Sequence, residues 1–113
     1  MALDDLAQEQ YLYLTTTGRT TWLLREIEIW FVLHDGRFYL CAEHGHAAQW
    51  VKNIVQQPRV QVRVGTETLA ATARPLDPVA DADTYQTVQH LMQAKYGWGA
   101  GLPVQITPLV PPP

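Results

Sequence analysis

Residues 14 to 25, LTTTGRTTWLLR, put five threonine hydroxyls, one glycine and two arginines into a dozen positions. Hydroxyls and the amides around a glycine turn are donors for phosphate, and Gly18 lets the backbone approach such a group closely. Arg19 and Arg25 add planar, permanently charged forks that match phosphate geometry. The threonines, Gly18, Arg19 and Arg25 are therefore candidate ligands for a phosphorylated cofactor. A second cluster lies in CAEHGHAAQW. His44 and His46 are two apart and on a strand would share a face, a geometry that can grip a metal. No Asp or Glu follows His46 until Glu67, and Gly45 reads as a turn, so no metal site is assigned. The two histidines are expected to border a pocket or solvent. No P-loop, dinucleotide fingerprint or nucleophile–base pair is legible, and the catalytic residues stay unassigned. Of the four tryptophans, Trp22 alone sits in a polar loop. There its ring could stack on a ligand or seal a dimer.

The elements around these residues follow from periodicity. Tyr11 to Thr17 reads as a strand ending at Gly18. REIEIWFVL alternates and reads as one strand, with Ile27, Ile29, Phe31 and Leu33 on one face. Asp35-Gly36 predicts a tight hairpin into RFYLCA. HAAQWVKNIVQQP changes to a helical period, with Gln49, Lys52 and Gln56 toward solvent. VQVRVG and TETLAATARPL form a second antiparallel pair. A longer helix begins near Asp81 and Asp83, placed to complement its dipole and cap free amides, and stops at Gly97. PVQITPLV is a last strand, and residues 111–113 are a tail. The order β-ββ-α-ββ-α-β predicts an α+β fold: a mainly antiparallel small barrel or curled sheet carrying two helices, residues 1–113 forming one domain.

Bulk properties narrow the function. The chain has 8 basic and 11 acidic residues and a net charge of −3, so no general affinity for nucleic acid is expected. With 47% hydrophobic residues it can bury a core. No secretory signal and no membrane-spanning run is visible, and one cysteine, Cys41, suits a reducing compartment. The expectation is a cytoplasmic protein.

LTTTGR, Arg25 before a strand, DGRFYLCAEHG, QWVKNI and QQPRVQVRVG, taken in that order, resemble the deazaflavin-dependent nitroreductase family. That family lies within the split-barrel flavoprotein superfamily that includes pyridoxamine phosphate oxidases. The resemblance covers about residues 11 to 65 and implies a six-stranded split barrel, commonly a homodimer. It also implies a deazaflavin coenzyme (F-420) whose phosphate meets Arg19 and Arg25, with Thr16, Thr17 and Lys52 as helpers. Asn53 would orient the loop or the cofactor tail. Hydride would pass to a quinone-, nitroaromatic- or ene-type small molecule. Thr20 and Trp22 stand where the family often has lysine and has glycine, and Glu43 falls where a carboxylate would face phosphate. Two alternatives remain. REIEIWF also resembles the strand of FMN-binding oxidases, where Arg25 and Lys52 would take the single phosphate. A non-catalytic flavin or haem module of the same fold would use His44 or His46 as a haem ligand.

Overall fold

A computed structural model describes residues 3–109. The prolines expected as a tail, and Val110 at the end of the last expected strand, lie outside the described residues. After a short 3-10 helix, Leu3–Gln8, come β1 (Leu12–Thr17), β2 (Leu24–Ile29), β3 (Val32–His34) and β4 (Arg37–Ala42). A 3-10 turn, Gly45–Ala47, leads into α1 (Gln49–Gln56), then β5 (Arg59–Val64), β6 (Glu67–Pro75), α2 (Ala82–Tyr96) and β7 (Leu102–Pro108). The seven strands form one antiparallel sheet in the order β2-β1-β5-β6-β7-β4-β3.

That order closes the fold. β2 and β3 are the two edges of the sheet, yet only Trp30 and Phe31 separate them in the chain. Two residues span no more than about 10 Å, so the sheet must curl until its edges meet. The run Arg25–Leu33, expected as one strand, is thus two, and the six expected strands become seven. At the break Phe31 joins the barrel core while Val32 packs in the layer under α2.

The break leaves the backbone of Phe31 without a ladder partner, and α2 supplies one. The Tyr96 hydroxyl accepts from the Phe31 N–H at 3.0 Å and lies 2.7 Å from the Gln10 carbonyl, to which it can donate its proton. The Lys95 ammonium donates to the carbonyls of Phe31 (3.0 Å), Ala7 (3.1 Å) and Glu9 (2.8 Å). All three of its protons are therefore used on backbone oxygens. Its charge also lies 4.0 Å from the Phe31 ring centroid. Partial burial pulls the Lys95 pKa below the usual lysine value. Trp30, turned outward at the break, stacks on Tyr96 with centroids 4.5 Å apart.

Two hydrophobic layers flank β4, whose residues from Phe38 to Ala42 are all buried. Phe38 and Leu40 point into the barrel with Leu12, Leu14, Phe31 and Val104. Tyr39 and Cys41 point the other way, to Val88 and Met92 of α2. The expected hairpin between β3 and β4 is present, with φ of 51° at Asp35 and 74° at Gly36, the pair of positive values that a tight primed turn needs. Gly97 ends α2 at φ 76° as its sequence position implies. The start of α2 differs from expectation. Asp81 is the N-cap residue, but its carboxylate caps no helix amide. It instead receives two bonds from Arg74 at 3.0 and 3.1 Å and one from the Asp77 N–H at 2.8 Å. The Arg74 guanidinium is the main cause holding its carboxyl below the usual range.

Tyr96→Phe is expected to lower unfolding stability by about 1–3 kcal/mol, because a backbone donor and acceptor lose their partner. Urea denaturation of the two proteins measures this. Equal midpoints would mean the barrel seam does not depend on that hydroxyl.

Candidate functional site

The register of β1 against β2 sorts the residues of the threonine-arginine stretch. Thr16 faces Arg25, Leu14 faces Ile27 and Leu12 faces Ile29. Directly opposed residues share a face, so this row looks toward α1 and the barrel interior. Thr15 and Thr17, one residue off, take the outer face beside Leu24 and Glu26. Of the expected ligands, Thr16, Gly18, Arg19, Arg25 and Asn53 come together in one cleft of about 450 Å³ with Thr20, Thr21 and Gln49. Thr17 instead lines a shallow groove on the outer face with Arg59. Lys52 lies in a neighbouring groove of about 310 Å³ that it shares with His46 and Arg19.

Asn53 is the fastener. It is only 6% exposed, one of two buried polar residues in the described core; the other is Thr16 at 1%. Its Oδ1 accepts from the Arg19 backbone N–H at 3.2 Å and from Arg19 Nη1 at 2.8 Å, and its Nδ2 reaches Thr16 Oγ1 at 3.5 Å. Gln49, one helical turn earlier, accepts from Arg19 Nη2 at 2.8 Å. Arg19 is thus aimed by two neutral amides, and among the described residues it has no carboxylate partner. Its positive charge stays available to an anion. Gly18 fits a tight space: a Cβ there would lie 2.6 Å from Thr21 Oγ1 and 3.3 Å from the Leu23 carbonyl. The loop is drawn tight by the Gly18 N–H bonding the Leu23 carbonyl at 2.8 Å.

A second, larger cleft of about 660 Å³ adjoins the first, and Ile27 and Trp50 line both. Its walls are mostly apolar: Ile29, Trp30, Met92 and Trp98, with Cys41 on the floor. Glu28, Glu43 and His44 stand at its rim. Sequence reasoning missed this pocket, because its walls come from β2, β4, α1 and α2. The high tryptophan content, and His44 expected at a pocket or in solvent, were the signals that pointed to it. Glu43 borders this apolar cleft and does not line the arginine cleft. His44 and His46 fall in different pockets, and no metal-holding cluster occurs among the described residues. Burial pushes the Cys41 thiol up to about 12.

The two halves fit the parts of a phosphorylated ring cofactor. A guanidinium pair without carboxylate partners, with threonine hydroxyls, suits phosphate, and an apolar cleft lined by tryptophans suits an aromatic ring. The fold is a split barrel of the pyridoxamine phosphate oxidase kind. The chain belongs to the F420H(2)-dependent quinone reductase family, whose model matches residues 4–107. It is an oxidoreductase of that family, and the family's cofactor is the reduced deazaflavin.

Among solved structures, the chain is similar to an F420-H2 dependent reductase at 23% identity, covering 86% of this chain and 92% of that one, with a TM-score of 0.61. A domain-swapped dimer matches at 23% identity over 86% of this chain and 78% of that one, with a TM-score of 0.69. A haem storage protein from Vibrio cholerae matches at 15% identity over 97% and 92%, with a TM-score of 0.75. No described helix is long and apolar enough to cross a membrane.

The Cys41 thiol ionises at about 12 in the fold, against 9.0 as its ordinary value, so it holds its proton when the unfolded chain has lost it. The stability it confers is complete below pH 9 and falls as pH rises from 9 toward 12. At pH 8 the native protein is expected to react with a thiol reagent roughly a thousandfold more slowly than the urea-unfolded chain, in line with the smaller thiolate fraction. Comparable rates would place Cys41 in an open wall.

Proposed function

We propose that the arginine cleft holds the phosphate and anionic tail of the reduced deazaflavin, and that the tryptophan-lined cleft holds its ring beside the substrate. The observation that carries this reading is Arg19: a cation oriented by Asn53 and Gln49 and left without a carboxylate, next to Arg25 and an apolar slot. Thr16, Thr20 and Thr21 add hydroxyls to the same cleft. Trp50, shared by both clefts, packs where phosphate and ring would join. Lys52 extends the cationic surface past Arg19 and suits further carboxylates of the tail, with His46 in the same groove.

When bound, the reduced deazaflavin supplies a hydride to an electron-poor acceptor of the quinone, nitroaromatic or conjugated-ene type. The chain's own contribution is to bind, to orient and to keep water from the ring. Trp30 is fixed by its stack on Tyr96, and Trp98 and Met92 complete the dry wall. Each hydride accepted by a quinone requires one proton. Cys41, pushed up to about 12, does not release one near neutrality. Glu28, Glu43 and His44 are the titratable side chains at the rim, and the proton enters on that side. We place the working protein in the cytoplasm as a homodimer, a reading supported by the domain-swapped dimer among the solved structures it resembles.

Titration of the protein with the deazaflavin, followed by tryptophan fluorescence, tests the assignment. The double variant Arg19→Ala, Arg25→Ala is expected to bind at least tenfold more weakly, since each charge-assisted bond contributes about 1.5–3 kcal/mol. Unchanged affinity would remove the phosphate assignment. A parallel titration with FMN is expected to give much weaker binding, and tight binding of FMN alone would assign the cleft to that cofactor instead.

A further inference from the structure

The apolar cleft opens where the barrel is split. β2 pairs with β1 alone, and β3 covers only residues 37–39 of β4, so Leu40, Cys41 and Ala42 have no strand beside them on that side. The cleft lies in this gap, with Ile27 to Trp30 on one bank and Cys41 to His44 on the other. Each bank carries a carboxylate: Glu28 on β2, and Glu43 just past the end of β4.

Neither carboxylate is neutralised. Among the described residues the ion pairs join His34 to Asp35, Arg63 to Glu26 and Arg74 to Asp81, and none involves Glu28 or Glu43. Glu28 is held by the Tyr13 hydroxyl, which donates to its Oε1 at 2.9 Å, while the Arg63 guanidinium lies 4.0 Å from the Tyr13 ring centroid. A neutral donor fixes the carboxylate without removing its charge. His44, next to Glu43, is the one basic side chain in the lining, and no lysine or arginine reaches it. The adjoining arginine cleft has the opposite character, with Arg19 and Arg25 and no acid in its lining. Charge is thus sorted between two clefts that share a wall.

The acids do not make a metal site, since no group of three His, Cys, Asp or Glu side chains that could hold an ion occurs among the described residues. Their neighbours are aromatic instead. Trp30, Trp50 and Trp98 line the same space, and the indole face is the side-chain ring that attracts an organic cation most strongly. We propose that Glu28 and Glu43 set the specificity of this cleft for aromatic acceptors that carry a positive charge, namely quinones or nitroarenes with a quaternary ammonium or protonated amine substituent. The substituent would rest against the carboxylates and indoles and keep its bonds and charge through the reaction. An anionic acceptor would meet two carboxylates at the mouth and be disfavoured. The inference rests on the reading of this cleft as the acceptor's place, and it needs nothing of where the cofactor phosphate lies.

The test is equilibrium binding of two naphthoquinones to the full chain, one neutral and one bearing a trimethylammonium side chain, followed by quenching of tryptophan fluorescence. The cationic quinone is expected to bind about tenfold more tightly, and added salt to narrow the difference. In the double variant Glu28→Gln, Glu43→Gln the ratio of the two affinities should fall to near one, and in Glu28→Lys, Glu43→Lys it should invert. Both positions are exposed, so the fold is expected to survive, and unchanged thermal midpoints check it. With the reduced deazaflavin as donor, the ratio of kcat/KM for the two quinones should follow the same order. Equal affinities in the unaltered chain would overturn the proposal, as would a preference that the glutamine variant leaves intact. Titration with the deazaflavin separates this inference from the cofactor reading. A chain that fails to bind it yet prefers the cationic quinone supports the role of the two acids and removes only the cofactor assignment. Tight deazaflavin binding with equal quinone affinities removes the role of the acids alone.

Discussion

The structure depends on how one peptide unit, that of Phe31, is satisfied after it leaves the sheet. The chain must pass from one edge of a seven-stranded sheet to the other across Trp30 and Phe31. A buried backbone group without a partner costs about 1–3 kcal/mol, so an unassisted break would oppose closure. Tyr96 and Lys95, adjacent at the end of α2, remove that cost and tie the N-terminal segment to the same point. Closure then follows, because the side chain of Phe31 can drop into the barrel while Val32 turns to α2.

The seam also shapes the site. Trp30 is expelled from the core by the break and lands on Tyr96, where it becomes a wall of the apolar cleft. Two residues earlier the same strand presents Glu28 at the rim, and further back Arg25 to the cationic cleft. A single edge strand thus runs from the cationic cleft to the apolar one. The inner face of α1 supplies the other side through Asn53 and Trp50, one turn apart.

Much of this was legible in the chain. Alternation in YLYLTTT and VQVRVG, the Asp35-Gly36 turn and the three-residue spacings of both helices depend on local sterics and on burial of one face. They emerged at nearly the expected bounds. The break at Trp30–Phe31 was not legible. Both residues are good strand formers, and their separation is imposed by partners more than sixty positions away. Asp81 shows the same effect, since a nearby arginine outcompetes the helix amides for its carboxylate.

For the site, the sequence by itself determined the donors. Threonines, a glycine and two arginines within twelve residues suit phosphate wherever they lie, because guanidinium charge and hydroxyl dipoles are properties of residue type. Only the tertiary structure decided which of them converge. The β1–β2 register turned Thr16 inward and Thr17 outward, and the placement of α1 gave Arg19 to Asn53 and Gln49 while moving Lys52 to the next groove. It also assembled the tryptophan cleft from four separate elements. Side-chain chemistry is local, but a concave surface is a property of packed elements, and packing is set by contacts that no short stretch of chain contains.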